Sequence, residues 1–311
     1  MNNLDFIENK KSSFGDGSTF RGCAGNERRR GGLFSSFSQT IPSALVCVSQ
    51  IIKKTVLVIF LMAYALLSFS QTFTPKTFKG KEGNLPYQIL LPENFSESEN
   101  YPVVLFLHGA GERGSNNEKQ LVHGSTLFLN EENRNNYPAI VIFPQCPKED
   151  YWANVDIQYG PLGRQFEFLE EGEPTVAMSL VLQLMDSIAS RKFVNNEQIY
   201  IGGLSMGGMG TFEFLARRPD LFAAAFPICG GGNPNSVKKY AGKVDLWIFH
   251  GAKDDVVFPH HSVDMALALQ KTGATPRFTL YREANHNSWD RAFAEPELLS
   301  WLFSQTKRNQ K

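Results

Sequence analysis

Gln198-Ile199-Tyr200-Ile201-Gly202-Gly203-Leu204-Ser205-Met206-Gly207-Gly208-Met209-Gly210 reads as a buried strand running straight into a helix, with almost no turn between. Inside it stands G-x-S-x-G, as Gly203-Leu204-Ser205-Met206-Gly207. A serine nucleophile requires this residue choice. Its hydroxyl must project from a very tight strand-to-helix corner, where side chains two residues before and after would collide, so both positions want Gly. The following helix presents free N–H groups and its positive dipole end beside the hydroxyl, where negative charge develops in acyl transfer. Alone the pattern is weak, because an ordinary Gly-rich turn with a plain Ser matches it too. Its neighbours decide.

Working outward, Val103-Val104-Leu105-Phe106-Leu107 is an uninterrupted apolar run of the buried parallel-strand type, ending at His108-Gly109-Ala110-Gly111-Glu112-Arg113-Gly114. Ala139 to Phe143, Leu221 to Ile228, Leu246 to Phe249 and Arg277 to Tyr281 are further strands. Helices are expected over 117–133, from Pro174 to about Lys192, after Ser205, over His261 to Lys271, and over 288–305 with a break at Pro296. Near the start of the body, Lys76 to Lys79 and Leu85 to Leu91 flank the turn-rich Gly80-Lys81-Glu82-Gly83-Asn84, which suggests a hairpin. Residues 144–173 read as a long irregular stretch. Alternating buried strands and helices specify a mostly parallel sheet covered on both faces.

In such a sheet, functional residues gather at the carboxyl ends of strands. Four strands here end in chemically loaded turns: His108 to Gly111, Gly203 to Gly207, His250 to Asp255, and Asn285-His286. A serine nucleophile needs a base, and the base needs a carboxylate that fixes its tautomer and stabilises the imidazolium. Ser205, Asp254 and His286 fit in the order nucleophile, acid, base. Asp255 and Asp245 compete for the acid role, but Asp245 precedes its strand. His123, His260 and His261 compete for the base, yet they sit in expected helices or helix starts. His108 and His250 are read as scaffolding that shapes their Gly turns. Backbone N–H groups of Ala110 and Met206 are expected to form the oxyanion hole. Glu112 and Arg113 are expected to pair and fix their loop. No metal site is legible: adjacent His260 and His261 should point apart on a helix.

From about residue 76 to 306 the body resembles the α/β-hydrolase superfamily. Within it, the chain is similar to phospholipase/carboxylesterase-like and predicted-peptidase proteins related to dienelactone hydrolases and polysaccharide esterases. The matching pieces are Leu107 to Gly114, Gly203 to Gly208, Phe249 to Asp254 with Val256-Val257, and His286-Asn287-Ser288-Trp289. The resemblance implies an α/β-hydrolase fold without a large cap domain, and a carboxylic ester hydrolase that needs no cofactor. Two departures stand out. Phe258 separates Val257 from Pro259, where relatives run Val-Pro directly. Dienelactone hydrolases proper carry Cys where this chain has Ser205.

The N-terminal residues differ from the body. Residues 1–52 are rich in Ser, Gly, Asn and Arg, show no sustained apolar period, and read as a disordered extension or a start-site artefact. Lys53-Lys54, an apolar run and small polar residues then make a signal-peptide pattern over 53–71, short for a membrane span. Either translation starts near Ile51 or Ile52 and the segment is cleaved, giving a secreted or periplasmic protein, or residues 55–70 are an uncleaved anchor. The catalytic domain is expected over 72–311.

Of 31 basic and 31 acidic residues, 8 and 4 fall in 1–54, leaving 23 against 27 from residue 55 onward, a net of −4. That balance argues against nucleic acid as a partner. Four cysteines are present, and only Cys146 and Cys229 lie in the body; their strands are separated in the usual sheet order, which disfavours a bridge. About 17 residues separate Ile228 from Leu246, too few for a helical lid, so the site should be open. A small-molecule or polymer-linked ester is the expected substrate, with Tyr151, Trp152 and Trp289 as candidate apolar platforms. A peptidase of the same fold and an inactive binding module are the competing readings.

Overall fold

The computed structural model describes residues 72–307, apart from Leu162. The signal-like segment and the extension before it lie outside the described residues. The strands are β1 (Thr74–Lys79), β2 (Asn84–Leu90), β3 (Tyr101–Leu107), β4 (Ile140–Pro144), β5 (Val155–Gly160), β6 (Gly163–Phe168), β7 (Val194–Leu204), β8 (Ala224–Ile228), β9 (Asp245–Gly251) and β10 (Arg277–Tyr281). The α-helices are α1 (Ser125–Leu129), α2 (Glu131–Asn136), α3 (Val176–Ala189), α4 (Met206–Arg217), α5 (His260–Lys271), α6 (Trp289–Phe293) and α7 (Leu298–Ser304).

Eight strands form one sheet in the order β1-β2-β4-β3-β7-β8-β9-β10. β1 pairs antiparallel with β2, and β2 antiparallel with β4; the other pairings are parallel. The expected N-terminal hairpin is therefore present, and it forms the antiparallel edge of a parallel sheet. β3 and β7 sit side by side in the middle, with Leu107 in register with Gly203. Both are apolar on both faces: Val103 to Leu107 and Ile199 to Leu204 are all buried. Double-sided burial is what helices on both faces of a parallel sheet require. Phe106 and Phe226 meet on one face with ring centroids 5.9 Å apart, joined there by Phe143 and Phe293.

Three expected elements differ. The single helix over 117–133 is broken into a 3-10 turn at Lys119–Leu121, then α1 and α2. Gly124 takes φ 83°, outside the helical region, and a Cβ there would meet the rings of Phe293 and Phe106 at 3.0 and 3.3 Å. Asn130 then caps α2 by accepting from Asn133 N–H at 3.0 Å. Residues 144–173 are not irregular throughout, because β5 and β6 form a separate two-stranded antiparallel hairpin. Its Val155-Ile157-Tyr159 and Phe166-Phe168 alternation has the strand period. The closing helix is split, as Pro296 required, into α6 and α7. Between β8 and β9 only a 3-10 turn, Pro234–Lys239, intervenes. Among the described residues, no helix is long and apolar enough to cross a membrane.

Candidate active site

Ser205 occupies the corner between β7 and α4 with φ 53° and ψ −117°. A non-Gly residue in that region is strained by about 1–3 kcal/mol, and surrounding contacts must over-determine it. They do. Ser205 N–H donates to Ile228 O at 2.9 Å, and Met209 N–H donates to Ser205 O at 3.0 Å. The flanking glycines are sterically required. A Cβ at Gly207 would lie 1.9 Å from the Leu107 carbonyl oxygen, and one at Gly203 would lie 2.3 Å from that of Gly207.

Three side chains expected from sequence meet here. His286 Nε2 lies 2.9 Å from Ser205 Oγ, and its Nδ1 lies 2.8 Å from Asp254 Oδ2. A carboxylate can only accept, so Nδ1 carries the proton and Nε2 accepts from the serine hydroxyl. Asp254 Oδ1 accepts from the N–H groups of Val256 and Val257, both at 2.9 Å. Neither rival takes this position: Asp255 is exposed, and Asp245 opens β9 at the far end.

His250 does more than shape its turn. Its Nε2 lies 2.8 Å from Val257 O and 3.1 Å from Asp254 Oδ2, both acceptors, so it carries a proton there. Its Nδ1 lies 2.7 Å from Ser262 Oγ. Burial opposes ionisation of Asp254, yet hydrogen bonds from His250 and His286 outweigh it and hold the carboxyl well below its usual range. Sequence reasoning missed this contact, although the four-residue spacing of His250 and Asp254 was its available signal.

Ala110 opens a 3-10 turn and Met206 opens α4. The first N–H groups of a helix have no intrahelical partner, so both are available to a ligand. Gly109 brings the first of these loops against the nucleophile, since a Cβ there would lie 3.7 Å from Ser205 Cβ. His108 anchors the loop. Its Nε2 accepts from Cys146 N–H at 3.0 Å and its Nδ1 faces Gly109 O at 2.6 Å. Burial lowers this imidazole to about pKa 4, so it stays neutral.

A buried side-chain amide, that of Gln145, which the sequence did not suggest, braces the same loop. Gln145 Oε1 accepts from Asn117 N–H at 2.7 Å, while its Nε2 donates to Glu112 O at 3.1 Å and Asn116 Oδ1 at 2.8 Å. Gly114 N–H donates to Cys146 O at 2.9 Å. Glu112 and Arg113 do not pair with each other. Arg113 instead donates to Ala110 O and Asp150 O, both at 3.1 Å. Glu112 faces His123, with 3.9 Å between Oε1 and Nε2. Carbonyl acceptors within reach of the guanidinium outcompete its sequence neighbour.

The two Trp candidates part company. Trp152 is fully buried, so it is not a substrate platform. Its indole N–H donates to His108 O at 3.2 Å, and its ring stands edge-on to His108. A buried indole needs a partner for its N–H, and the loop carbonyl supplies it. Trp289 stays half-buried, edge-on to the His286 ring at 5.5 Å. His123, set aside as the base because it falls in an expected helix, packs 5.2 Å from Trp289 and so stands at the rim. Tyr151 is half-buried, with its hydroxyl donating to Met209 Sδ at 3.7 Å.

Cys229 Sγ, an Asp254 oxygen and a His286 nitrogen lie within 4.8 Å of one another. Burial pushes the Cys229 thiol up and keeps it protonated, and the other two groups are engaged with each other. Cys146 and Cys229 are free and buried. His260 and His261 do not point apart; their ring centroids are 4.0 Å apart at the start of α5. Burial, reinforced by His260, lowers His261 to about pKa 4.

A family model for esterases matches residues 81–291, more than half of the chain. The chain belongs to the Esterase family. Over 169 residues it is 25% identical to a bifunctional acetylxylan esterase/xylanase, XynS20E, of Neocallimastix patriciarum, covering 54% of this chain and 21% of that protein. A thermostable esterase of known structure superposes with TM-score 0.67 at 31% identity, covering 75% of this chain and 63% of that one. A ferulic acid esterase from Anaeromyces mucronatus, solved with ferulic acid, superposes with TM-score 0.54 at 16% identity, covering 74% and 90%. The chain thus spans about a fifth of the bifunctional protein and under two thirds of the thermostable esterase. The second superposition speaks to fold alone. Together they are α/β-hydrolase folds, the fold described above.

Proposed function

We propose that this protein is a serine hydrolase that cleaves carboxylic esters through an acyl-enzyme. One observation carries the reading: a continuous hydrogen-bonded line from Ser205 Oγ through His286 to Asp254, at a strained strand-to-helix corner. Membership of the Esterase family supports it.

In this mechanism Ser205 Oγ attacks the ester carbonyl carbon as His286 Nε2 takes its proton. The carbonyl π electrons move onto oxygen, and the N–H groups of Ala110 and Met206 stabilise the resulting oxyanion. The intermediate collapses by breaking the bond to the alcohol oxygen, which receives the proton from His286. Water then repeats the sequence on the acyl-Ser205, releasing the acid. Asp254 remains ionised throughout, holds the His286 tautomer and stabilises the imidazolium. Every step uses the chain's own groups.

A polymer-linked acyl group is the favoured substrate class, since only a 3-10 turn, and no helical cap, intervenes between β8 and β9. We assign catalysis to residues 72–311, and export to the signal-like segment 53–71. A panel of nitrophenyl esters, peptide nitroanilides and acetylated or feruloylated xylan tests the activity. Ester turnover abolished by Ser205→Ala is expected. Turnover of the anilides but not the esters would make the protein a peptidase, and inertness equal to that of Ser205→Ala would make it a binding module.

A further inference from the structure

The β5–β6 hairpin packs beside the site with one face in use and part of it uncovered. Val155, Ile157 and Tyr159 lie directly opposite Phe168, Phe166 and Arg164, so all six share a face. The inner rungs pack inward: Val155, Phe166 and Phe168 cover a cluster that includes Met209, four residues after Ser205, and Val257, three after Asp254. The outer rung does not. Tyr159 is 79% exposed, with the Arg164 guanidinium 5.8 Å from its ring centre. Tyr159 therefore carries the aromatic stripe outward onto the exposed surface.

Beside this stripe runs an open groove of about 670 Å³, lined by Arg164, Gln165, Phe166, Phe258, His260 and His261. Phe258 is the residue by which the acid loop departs from the Val-Pro run of its relatives. Its ring closes the groove opposite the hairpin: a Cβ at Gly163 would stand 3.9 Å from it. On its other side it stacks on His260, 6.1 Å away at an interplanar angle of 20°. His261 stands edge-on to Phe166 and Phe168 at 5.8 and 5.6 Å. The groove therefore begins on the loop whose Val256 and Val257 hold Asp254.

The lining selects its occupant. Aromatic rings alternate with a guanidinium, a carboxamide and imidazoles, which matches a sugar ring: apolar C–H faces to stack and a rim of hydroxyls to hydrogen-bond. A long acyl chain would make no use of those polar groups. A polyanion is disfavoured by the net −4 of the chain from residue 55 onward. Openness to solvent lets a polymer enter without threading. We propose that this groove and the exposed rung beyond it bind the saccharide chain of a polymer-linked ester, a proposal that rests on the esterase reading and names its substrate class.

The test compares Tyr159→Ala, Phe258→Leu and the double variant on acetylated soluble xylan, methyl ferulate and 4-nitrophenyl acetate. The ratio of kcat/KM on xylan to that on 4-nitrophenyl acetate should fall about tenfold in the double variant, through KM. In native gels containing deacetylated xylan, the Ser205→Ala chain should be retarded, and adding Phe258→Leu should abolish the retardation. A ratio within twofold of the unaltered protein, with no retardation, overturns the proposal. A loss confined to methyl ferulate also overturns it and makes the groove an aryl-acyl pocket. If the unaltered protein turns over no ester, the esterase reading fails instead, while the gel experiment still decides the groove.

Discussion

Replacing Gln145 with Met keeps the length of the side chain and removes its amide. The amide makes three hydrogen bonds, to Asn117 N–H, Glu112 O and Asn116 Oδ1. Asn116 is exposed and its oxygen will find water. Asn117 N–H and Glu112 O are half-buried, and each orphaned group costs about 1–3 kcal/mol. The expected destabilisation is about 2–4 kcal/mol, which lowers Tm by about 5–15 °C in a domain of this size. The same bonds fix the loop that presents Ala110. Loss of a complete oxyanion donor is worth about 3–4 kcal/mol in the transition state. A donor left in place but loosened should forfeit part of that, so kcat on 4-nitrophenyl acetate at 25 °C should fall about ten- to hundredfold while KM stays within about twofold. Scanning calorimetry and initial-rate kinetics on the same preparation check both numbers. A lowered Tm with kcat unchanged would refute the reasoning. It would mean that the His108–Cys146 and Arg113–Ala110 bonds alone set the loop.

Three further outcomes follow from the same contacts. Asp254→Asn should leave the fold intact and lower kcat by about 10⁴, because an amide facing Nδ1 permits the wrong tautomer of His286. Gly207→Ala should lower both Tm and turnover, since the added methyl meets the Leu107 carbonyl at 1.9 Å and backbone cannot yield as a side chain can; thermal unfolding checks it. Stability should fall as pH drops from about 6.5 to 4. His108 and His261 both have folded values lowered to about 4, so the unfolded chain takes up their protons first and proton uptake favours unfolding. Buried His108 contributes up to about 1.4 kcal/mol per pH unit in that window and partly exposed, solvent-screened His261 less, so His108→Gln should remove more than half of the slope measured by urea unfolding at pH 4.5, 5.5 and 7. Asp254 adds nothing there; its contribution is present above its unfolded value of about 3.9 and is lost only below it.

Much of the fold was legible because the central strands are buried on both faces. Val103 to Leu107 and Ile199 to Leu204 allow no solvent-facing alternation, so their class was plain from composition alone. Ser205, Asp254 and His286 were legible because each ends a strand in a turn whose residue types have few other uses. What stayed hidden depends on contacts between distant segments. Trp152 looks like an exposed loop aromatic until β3 brings His108 O beneath its indole. Gln145 carries no pattern that marks it as a brace, since its partners lie about thirty residues earlier. The β5–β6 hairpin was concealed by strands exposed along much of their length, with no continuous apolar run, and by a turn that does not follow the common two-residue signatures. The helix expected over 117–133 failed at Gly124, where packing against Phe106 and Phe293 overrides local periodicity.

The central claim is that His286 and Asp254 activate one hydroxyl, that of Ser205. Reaction with a fluorophosphonate followed by intact-mass and peptide mass spectrometry tests it most directly. The account predicts a single phosphonyl adduct on Ser205, slowed at least a hundredfold in His286→Ala and absent in Ser205→Ala. A protein that hydrolyses esters while its Ser205 stays unlabelled, or that labels equally well without His286, would contradict it.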